Sequence, residues 1–129
     1  MEDNEPALLA MGEFFSVRGF DVDCARGPED ARARLGASSY AAVIADLRLT
    51  GPTGREGLAI LAAARARCRS TCTILLSAWR SPDVEAEARR RGVDVFLDKP
   101  HPLPELARIV DELVIGRRAE RWLGDGDGR

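Results

Sequence analysis

Ala41-Ala42-Val43-Ile44-Ala45 is an unbroken apolar run closed by Asp46, and Cys72-Thr73-Ile74-Leu75-Leu76 is a second run closed by Ser77. Short continuous runs of this kind fit strands that are buried on both faces. Between them, Thr50-Gly51-Pro52-Thr53-Gly54 reads as a loop. Gly57 to about Arg67 then reads as a helix with Leu58, Ile60 and Leu61 on its inner side. A helix joining two buried strands is the crossover of a parallel pair.

Working outward, the same alternation continues in both directions. Ser81-Pro82-Asp83 opens a helix that runs to Arg91-Gly92, Val93–Leu97 is a strand ending near Lys99, and Leu103 to about Arg118 is the last helix. On the amino-terminal side, Asn4 can cap a helix and Pro6 suits its first turn. Leu8, Leu9, Met11, Phe14, Phe15 and Val17 follow, and Gly19 stops the helix. Phe20–Cys24 is expected as a short strand, and Gly27-Pro28-Glu29-Asp30 starts a helix that ends near Leu35-Gly36. The expected order is αβαβαβαβα, an α/β fold with a doubly wound parallel sheet and helices on both faces. Such sheets place their sites at the carboxyl ends of the strands.

Composition narrows the function classes. A chain of 129 residues fits one domain, expected over residues 1–118, with 119–129 as a flexible tail. Hydrophobic residues make up 45% and aromatic residues only 5%, so the core is built from Ala, Val, Leu and Ile. A net charge of -2 argues against general attachment to nucleic acid or to anionic membranes. No apolar run approaches the roughly 20 residues of a membrane span. The acidic start Met1-Glu2-Asp3-Asn4-Glu5-Pro6 is not a signal peptide, which gives a cytoplasmic expectation. Of the three cysteines, Cys68 and Cys72 could share a helix face, but no further Cys or His completes a metal site, so all three read as free thiols. His101 reads as an exposed loop residue, and Arg89-Arg90-Arg91 as a solvated helix end suited to the helix dipole.

The strand ends carry the chemistry. Asp46, Ser77 and Lys99 would share one sheet edge with Glu2 and Asp3 of the amino terminus. Clustered carboxylates suit Mg²⁺, which prefers oxygen ligands. A carboxylate beside that ion and a lysine could attack phosphorus, with both cations offsetting the charge of the phosphoryl oxygens. Taken singly, Asp46 fits a strand-end turn, Ser77 a loop hydroxyl, Phe96 plain core and Lys99 a solvated lysine. Their joint order reverses that reading for Asp46, Ser77 and Lys99.

At these residues the chain resembles the receiver domains of bacterial two-component response regulators. The matching stretches are Glu2-Asp3-Asn4, Val43-Ile44-Ala45-Asp46-Leu47, Leu75-Leu76-Ser77-Ala78 and Phe96-Leu97-Asp98-Lys99-Pro100, and the likeness extends over roughly residues 2 to 115. The resemblance implies a flavodoxin-like fold with Asp46 as phosphoacceptor. It implies Mg²⁺ held by Asp3, Asp46 and the backbone carbonyl of Arg48, with Glu2 acting indirectly. It makes Ser77 and Phe96 a switch pair and Lys99 the cation that contacts the phosphoryl group.

Two departures stand out. The family carries an apolar strand of about five residues before the acidic pair, where this sequence has only Met1, so the first β-strand is expected to be truncated or missing. Three explanations compete: a gene start set too late, which is preferred because a valine codon can serve as a start, a strand supplied by a partner chain, or a degraded relative. The second departure is the loop Leu47–Gly57, longer and richer in glycine than the family's short turn.

The function expected from these residues is that of a single-domain response regulator, phosphorylated on Asp46 by a sensor histidine kinase or phosphotransfer protein. It would signal by contacts to a downstream protein or a second copy of itself. It would be a switch rather than an enzyme, with at most self-phosphorylation and self-dephosphorylation. The segment from Gly116 onward is too short for a DNA-binding domain. One alternative is a receiver-like interaction module that acts without phosphorylation. Another is a small-molecule α/β binder or enzyme, which the sequence opposes by lacking both a glycine fingerprint after a strand and a nucleophile–base pair.

Overall fold

The computed structural model describes residues 5–47, 56–77, 82–98 and 101–128. Along the chain these form α1 (Glu5–Val17), α2 (Pro28–Ala37), β1 (Ala42–Leu47), α3 (Glu56–Arg67), β2 (Cys72–Ser77), α4 (Pro82–Arg90), β3 (Val95–Asp98) and α5 (Leu103–Gly128). The strands form one parallel sheet in the order β1-β2-β3. This is the flavodoxin-like α/β arrangement expected from the alternation of elements.

The helices form because their apolar residues recur at helical spacing and face the sheet. In α1, Leu8 and Phe15 are buried and Met11 and Phe14 half-buried. Gly19, at φ 96°, reverses the chain so that the Phe20 amide donates to the Phe15 carbonyl at 3.1 Å. Gly92, at φ 83°, closes α4 the same way, with Val93 donating to Ala88. In α4 the buried pair is Val84 and Ala88, and in α2 it is Ala31 and Leu35. β2 is the central strand, and every one of its residues is buried.

Alternation along the strands divides the core into two layers. Ile74 and Leu76 face α1 and α5, packing with Phe15, Leu106, Ala107 and Val110. Ala45 and Leu75 face the opposite way, packing with Leu58 and Leu61 of α3 and Val84 and Ala88 of α4. A third cluster joins Ala31 and Leu35 of α2 to Ile60 and Ala64 of α3. No helix among the described residues is long and apolar enough to cross a membrane.

Two expectations are corrected. Phe20–Cys24 is not a strand: none of its residues is assigned to a ladder, and the sheet among the described residues has three members. A strand is defined by its neighbour, and Phe20–Cys24 has none among the described residues; a cavity of about 190 Å³ is lined by both Val22 and Val43. The last helix also continues past Arg118 to Gly128. Strong helix formers such as Ala119, Glu120, Arg121 and Leu123 follow the point where the apolar pattern fades.

Candidate functional site

The ladders align the carboxyl ends of the three strands. Asp46 pairs with Leu76, and Leu47 with Ser77. Ser77 in turn pairs with Asp98, and Leu75 with Phe96. Asp46, Ser77 and Asp98 therefore lie at one edge of three adjacent strands. Neighbouring strands lie only about 4.8 Å apart, so the backbones of Asp46 and Ser77 are one strand spacing and one residue of stagger apart.

Ser77 is fully buried. By alternation it shares a face with Leu75, the face covered by α3 and α4. Phe96 is half-buried on that same face and packs against the cluster that holds Leu75, Val84 and Ala88. The two expected switch residues thus lie on one side of the sheet, under α4. Asp98, at the end of β3, is exposed.

Of the expected ligand and contact residues, Glu2, Asp3, Arg48 and Lys99 lie outside the described residues, and Asp46 is described by its backbone alone. Among the described residues, no three His, Cys, Asp or Glu side chains converge as a metal site would require.

His101 is a correction. Its side chain is 20% exposed rather than open to solvent, and its Nε2 lies 3.6 Å from Glu105 Oε2. That nitrogen is shielded from water and forms no hydrogen bond among the described residues. Glu105 lies four residues on, in the first turn of α5.

At the opposite, amino-terminal edge lies a polar network that the sequence reading did not anticipate. Asp94 accepts the Thr73 amide at 2.8 Å and the Thr73 hydroxyl at 3.2 Å. Arg65 of α3 donates to Asp94 at 3.0 Å and to the Gly92 carbonyl at 2.7 Å. The network ties α3, β2 and the entry to β3 together, which fixes the register on which the carboxyl edge depends. Thr73 inside an apolar strand was the one available signal of it.

Comparisons with known proteins agree with this geometry. Residues 1–111 match the family described as "Response regulator receiver domain". The sensory/regulatory protein RpfC of Xanthomonas campestris is 27% identical over 118 residues, which is 91% of this chain but only 16% of that protein. Among solved structures, a CheY-like response regulator receiver domain protein from Methanospirillum hungatei superposes with a TM-score of 0.83 at 17% identity, covering 92% of this chain and 93% of that one. A response regulator from Burkholderia pseudomallei, solved with a phosphorylated aspartic acid, calcium ion and citrate, gives a TM-score of 0.75 at 22% identity, covering 95% and 71%.

Proposed function

The chain belongs to the response regulator receiver domain family, and on that premise we propose that it is a phosphorylation switch with Asp46 as its phosphoacceptor. The observation that supports the reading is the alignment of Asp46, Ser77 and Asp98 at the ends of consecutive parallel strands, with Lys99 next after Asp98 in the sequence. The phosphoryl donor is a sensor histidine kinase or a phosphotransfer protein. A carboxylate oxygen of Asp46 attacks the phosphorus of a phosphohistidine. The N–P bond breaks, the imidazole leaves and takes up a proton, and an acyl phosphate forms on Asp46.

The donors available for a metal ion are the carboxylates of Asp3 and Asp46 and the carbonyl of Arg48, with Glu2 reaching through water. All are oxygens, which fits a hard divalent cation such as Mg²⁺. When bound, the ion neutralises charge on the phosphoryl oxygens. Lys99 supplies the second cation to the same oxygens. The Ser77 hydroxyl donates a hydrogen bond to the phosphoryl group, and Phe96 moves with it. Output follows through protein contacts on the face made by α4, β3 and α5, in the cytoplasm, to a downstream protein or a second copy. The chain itself is a switch, not an enzyme acting on a separate substrate.

A second reading, an interaction module that takes no phosphate, draws support from the Phe20–Cys24 segment, which joins no strand among the described residues. One experiment separates the two. Acetyl phosphate and Mg²⁺, followed by borohydride trapping and mass spectrometry, should place one label on Asp46, absent from Asp46→Asn. Label on Asp3 or Asp98 that survives Asp46→Asn rejects the assignment, and no label at all favours the second reading.

A further inference from the structure

α3 and α4 cover one face of the sheet, where Leu58 and Leu61 share a core cluster with Val84 and Ala88. Both helices end at the amino-terminal edge, opposite the strand ends that carry Asp46 and Ser77. Arg65 and Arg67 stand in the last turn of α3, and Arg69 follows in the turn to β2. Arg89 and Arg90 stand in the last turn of α4, and Arg91 follows. The two helix ends are tied together. Arg65 donates to the Gly92 carbonyl at 2.7 Å, and the Asp94 amide donates to the Thr73 carbonyl at 3.1 Å. Three of these guanidinium groups are neutralised: Arg65 pairs with Asp94 at 3.0 Å, Arg89 with Glu85 at 3.3 Å and Arg91 with Glu87 at 2.9 Å. Arg67, Arg69 and Arg90 are exposed and pair with no carboxylate among the described residues. Cations suit the carboxyl end of a helix, but that attraction falls off within the last turn, and Arg69 lies beyond the end of α3. The whole chain has a net charge of -2, so the positive charge here is a local concentration and not part of a general excess.

We propose that this edge is a docking site for a short, acidic, extended segment of a partner protein, held by Arg67, Arg69 and Arg90. Packed helices lie about 8–10 Å apart, a gap that about three residues of extended chain span. A run of Asp and Glu therefore reaches the arginines at the ends of both helices. Guanidinium groups take carboxylates through paired hydrogen bonds, which suits such a run. A nucleic acid fits less well. A duplex carries a charge about every 1.7 Å of its axis, while Glu85 and Glu87 interleave with the arginines of α4 and the chain is acidic overall. Exposed ion pairs are individually weak and screened by salt. The contact is therefore of low affinity, and it depends on the three arginines acting together. It lies at the edge opposite Asp46 and is independent of the phosphoacceptor reading.

The test uses the full chain and a fluorescein-labelled peptide, Glu-Asp-Glu-Asp-Glu-Asp-amide, with binding read by anisotropy. The peptide should bind saturably at low ionic strength. Its affinity should fall about fivefold or more at physiological salt, where screening shortens from about 30 Å to about 8 Å. Arg67→Gln/Arg69→Gln/Arg90→Gln, which changes only exposed side chains, should keep its melting temperature and lose about tenfold in affinity. Arg108→Glu, an exposed position on α5 across the sheet, should lose much less. Bound peptide should also slow alkylation of Cys68, which stands between Arg67 and Arg69, and leave Cys24 unaffected. No binding at low salt, equal affinity in the folded triple variant, or binding that leaves Cys68 unprotected would overturn the proposal. Hexathymidylate that binds more tightly than the peptide, and loses that binding in the triple variant, would overturn it too and reassign the edge to nucleic acid.

Discussion

Phe96 stands opposite Leu75 in the β2–β3 ladder, and the two share one core cluster with Val84 and Ala88 of α4. Ser77 is two residues past Leu75 on the same face, fully buried at the site edge. A hydroxyl drawn toward a phosphoryl group at Asp46 would change the space that Phe96 and α4 share, because a close-packed layer transmits displacement rather than absorbing it.

If Ser77 and Phe96 act as the proposed switch, α4 is the element that should respond. On phosphorylation, amide exchange in Pro82–Arg90 should change several-fold in the wild type. In Ser77→Ala the label should still reach Asp46 while the α4 response is lost. Phe96→Leu, which keeps most of the buried volume, should weaken the response without unfolding the domain. An unchanged α4 response in Ser77→Ala would remove Ser77 from the switch.

The proposed ion depends on the amino-terminal acids. Asp3→Ala should weaken Mg²⁺ binding, measured by calorimetry, and slow labelling by acetyl phosphate in parallel. Since Mg²⁺ keeps several waters and takes one or two carboxylates, loss of one should cost at least tenfold in affinity, ~1.4 kcal/mol. Unaltered affinity would place Asp3 away from the site.

Stability should depend strongly on Asp94. Its carboxylate is the acceptor for the Thr73 amide, the Thr73 hydroxyl and Arg65. Thr73 is fully buried, and the ion-pair side chains are only 29% and 14% exposed. Asp94→Ala would strand the buried Thr73 N–H and leave the Thr73 hydroxyl and the half-buried Arg65 guanidinium to the Gly92 carbonyl, a loss of about 2–4 kcal/mol. That corresponds to a fall of roughly 10 °C in melting temperature. Thr73→Val together with Asp94→Ala should cost less than the two single changes added, because the bond between the Thr73 hydroxyl and Asp94 is lost in both.

These outcomes bear on how much the sequence disclosed. The runs ending at Asp46 and Ser77 identified two adjacent strands because Thr73 is the one polar residue that interrupts them. The strand-end rule then pointed to the edge where Asp46, Ser77 and Asp98 close their strands. Phe20–Cys24 has a strand's alternating pattern, with Phe20 and Val22 alternating with acids, yet forms no strand among the described residues. Local pattern reports which way side chains can face, whereas a ladder needs a neighbour. The Asp94 network escaped notice because its members, Arg65, Thr73 and Asp94, are far apart in sequence and are brought together only by the register of β2 and β3. His101 was misread because flanking prolines suggest an exposed loop, whereas its side chain is only 20% exposed, beside the start of α5.

Cys68 offers a pH-dependent test of the loop between α3 and β2. Its sulfur lies 3.2 Å from the Ser70 hydroxyl. That hydrogen bond, supported by the Ser70 amide and by Thr71, brings the thiol down to about 7. The bonds stabilise the thiolate, so reactivity rises as pH passes upward through that value. Cys68 should alkylate with iodoacetamide about half-maximally near pH 7, while Cys72, fully buried, should react only on unfolding. Ser70→Ala should move the Cys68 midpoint upward. A Cys68 midpoint that does not move in Ser70→Ala would show that the hydroxyl is not the cause.

The lifetime of the proposed acyl phosphate offers a test of Arg48 and Trp79. Arg48 lies two positions past Asp46 and Trp79 two past Ser77, in the segments that leave the carboxyl ends of β1 and β2. Both side chains are large, and neither carries an acid or amide that could orient a water for in-line attack. If they flank the path of that water, self-dephosphorylation should be slow. The double variant Arg48→Asn/Trp79→Ala opens the path and adds an amide at position 48, and should speed the loss of label about tenfold, only ~1.4 kcal/mol in barrier. The measurement is decay of phosphoryl label in excess Mg²⁺, with circular dichroism to check that the variant is folded. Equal decay in the folded variant and the wild type would show that these two positions do not govern the lifetime. Acceleration by Trp79→Ala alone would assign the effect to exclusion of water rather than to its orientation.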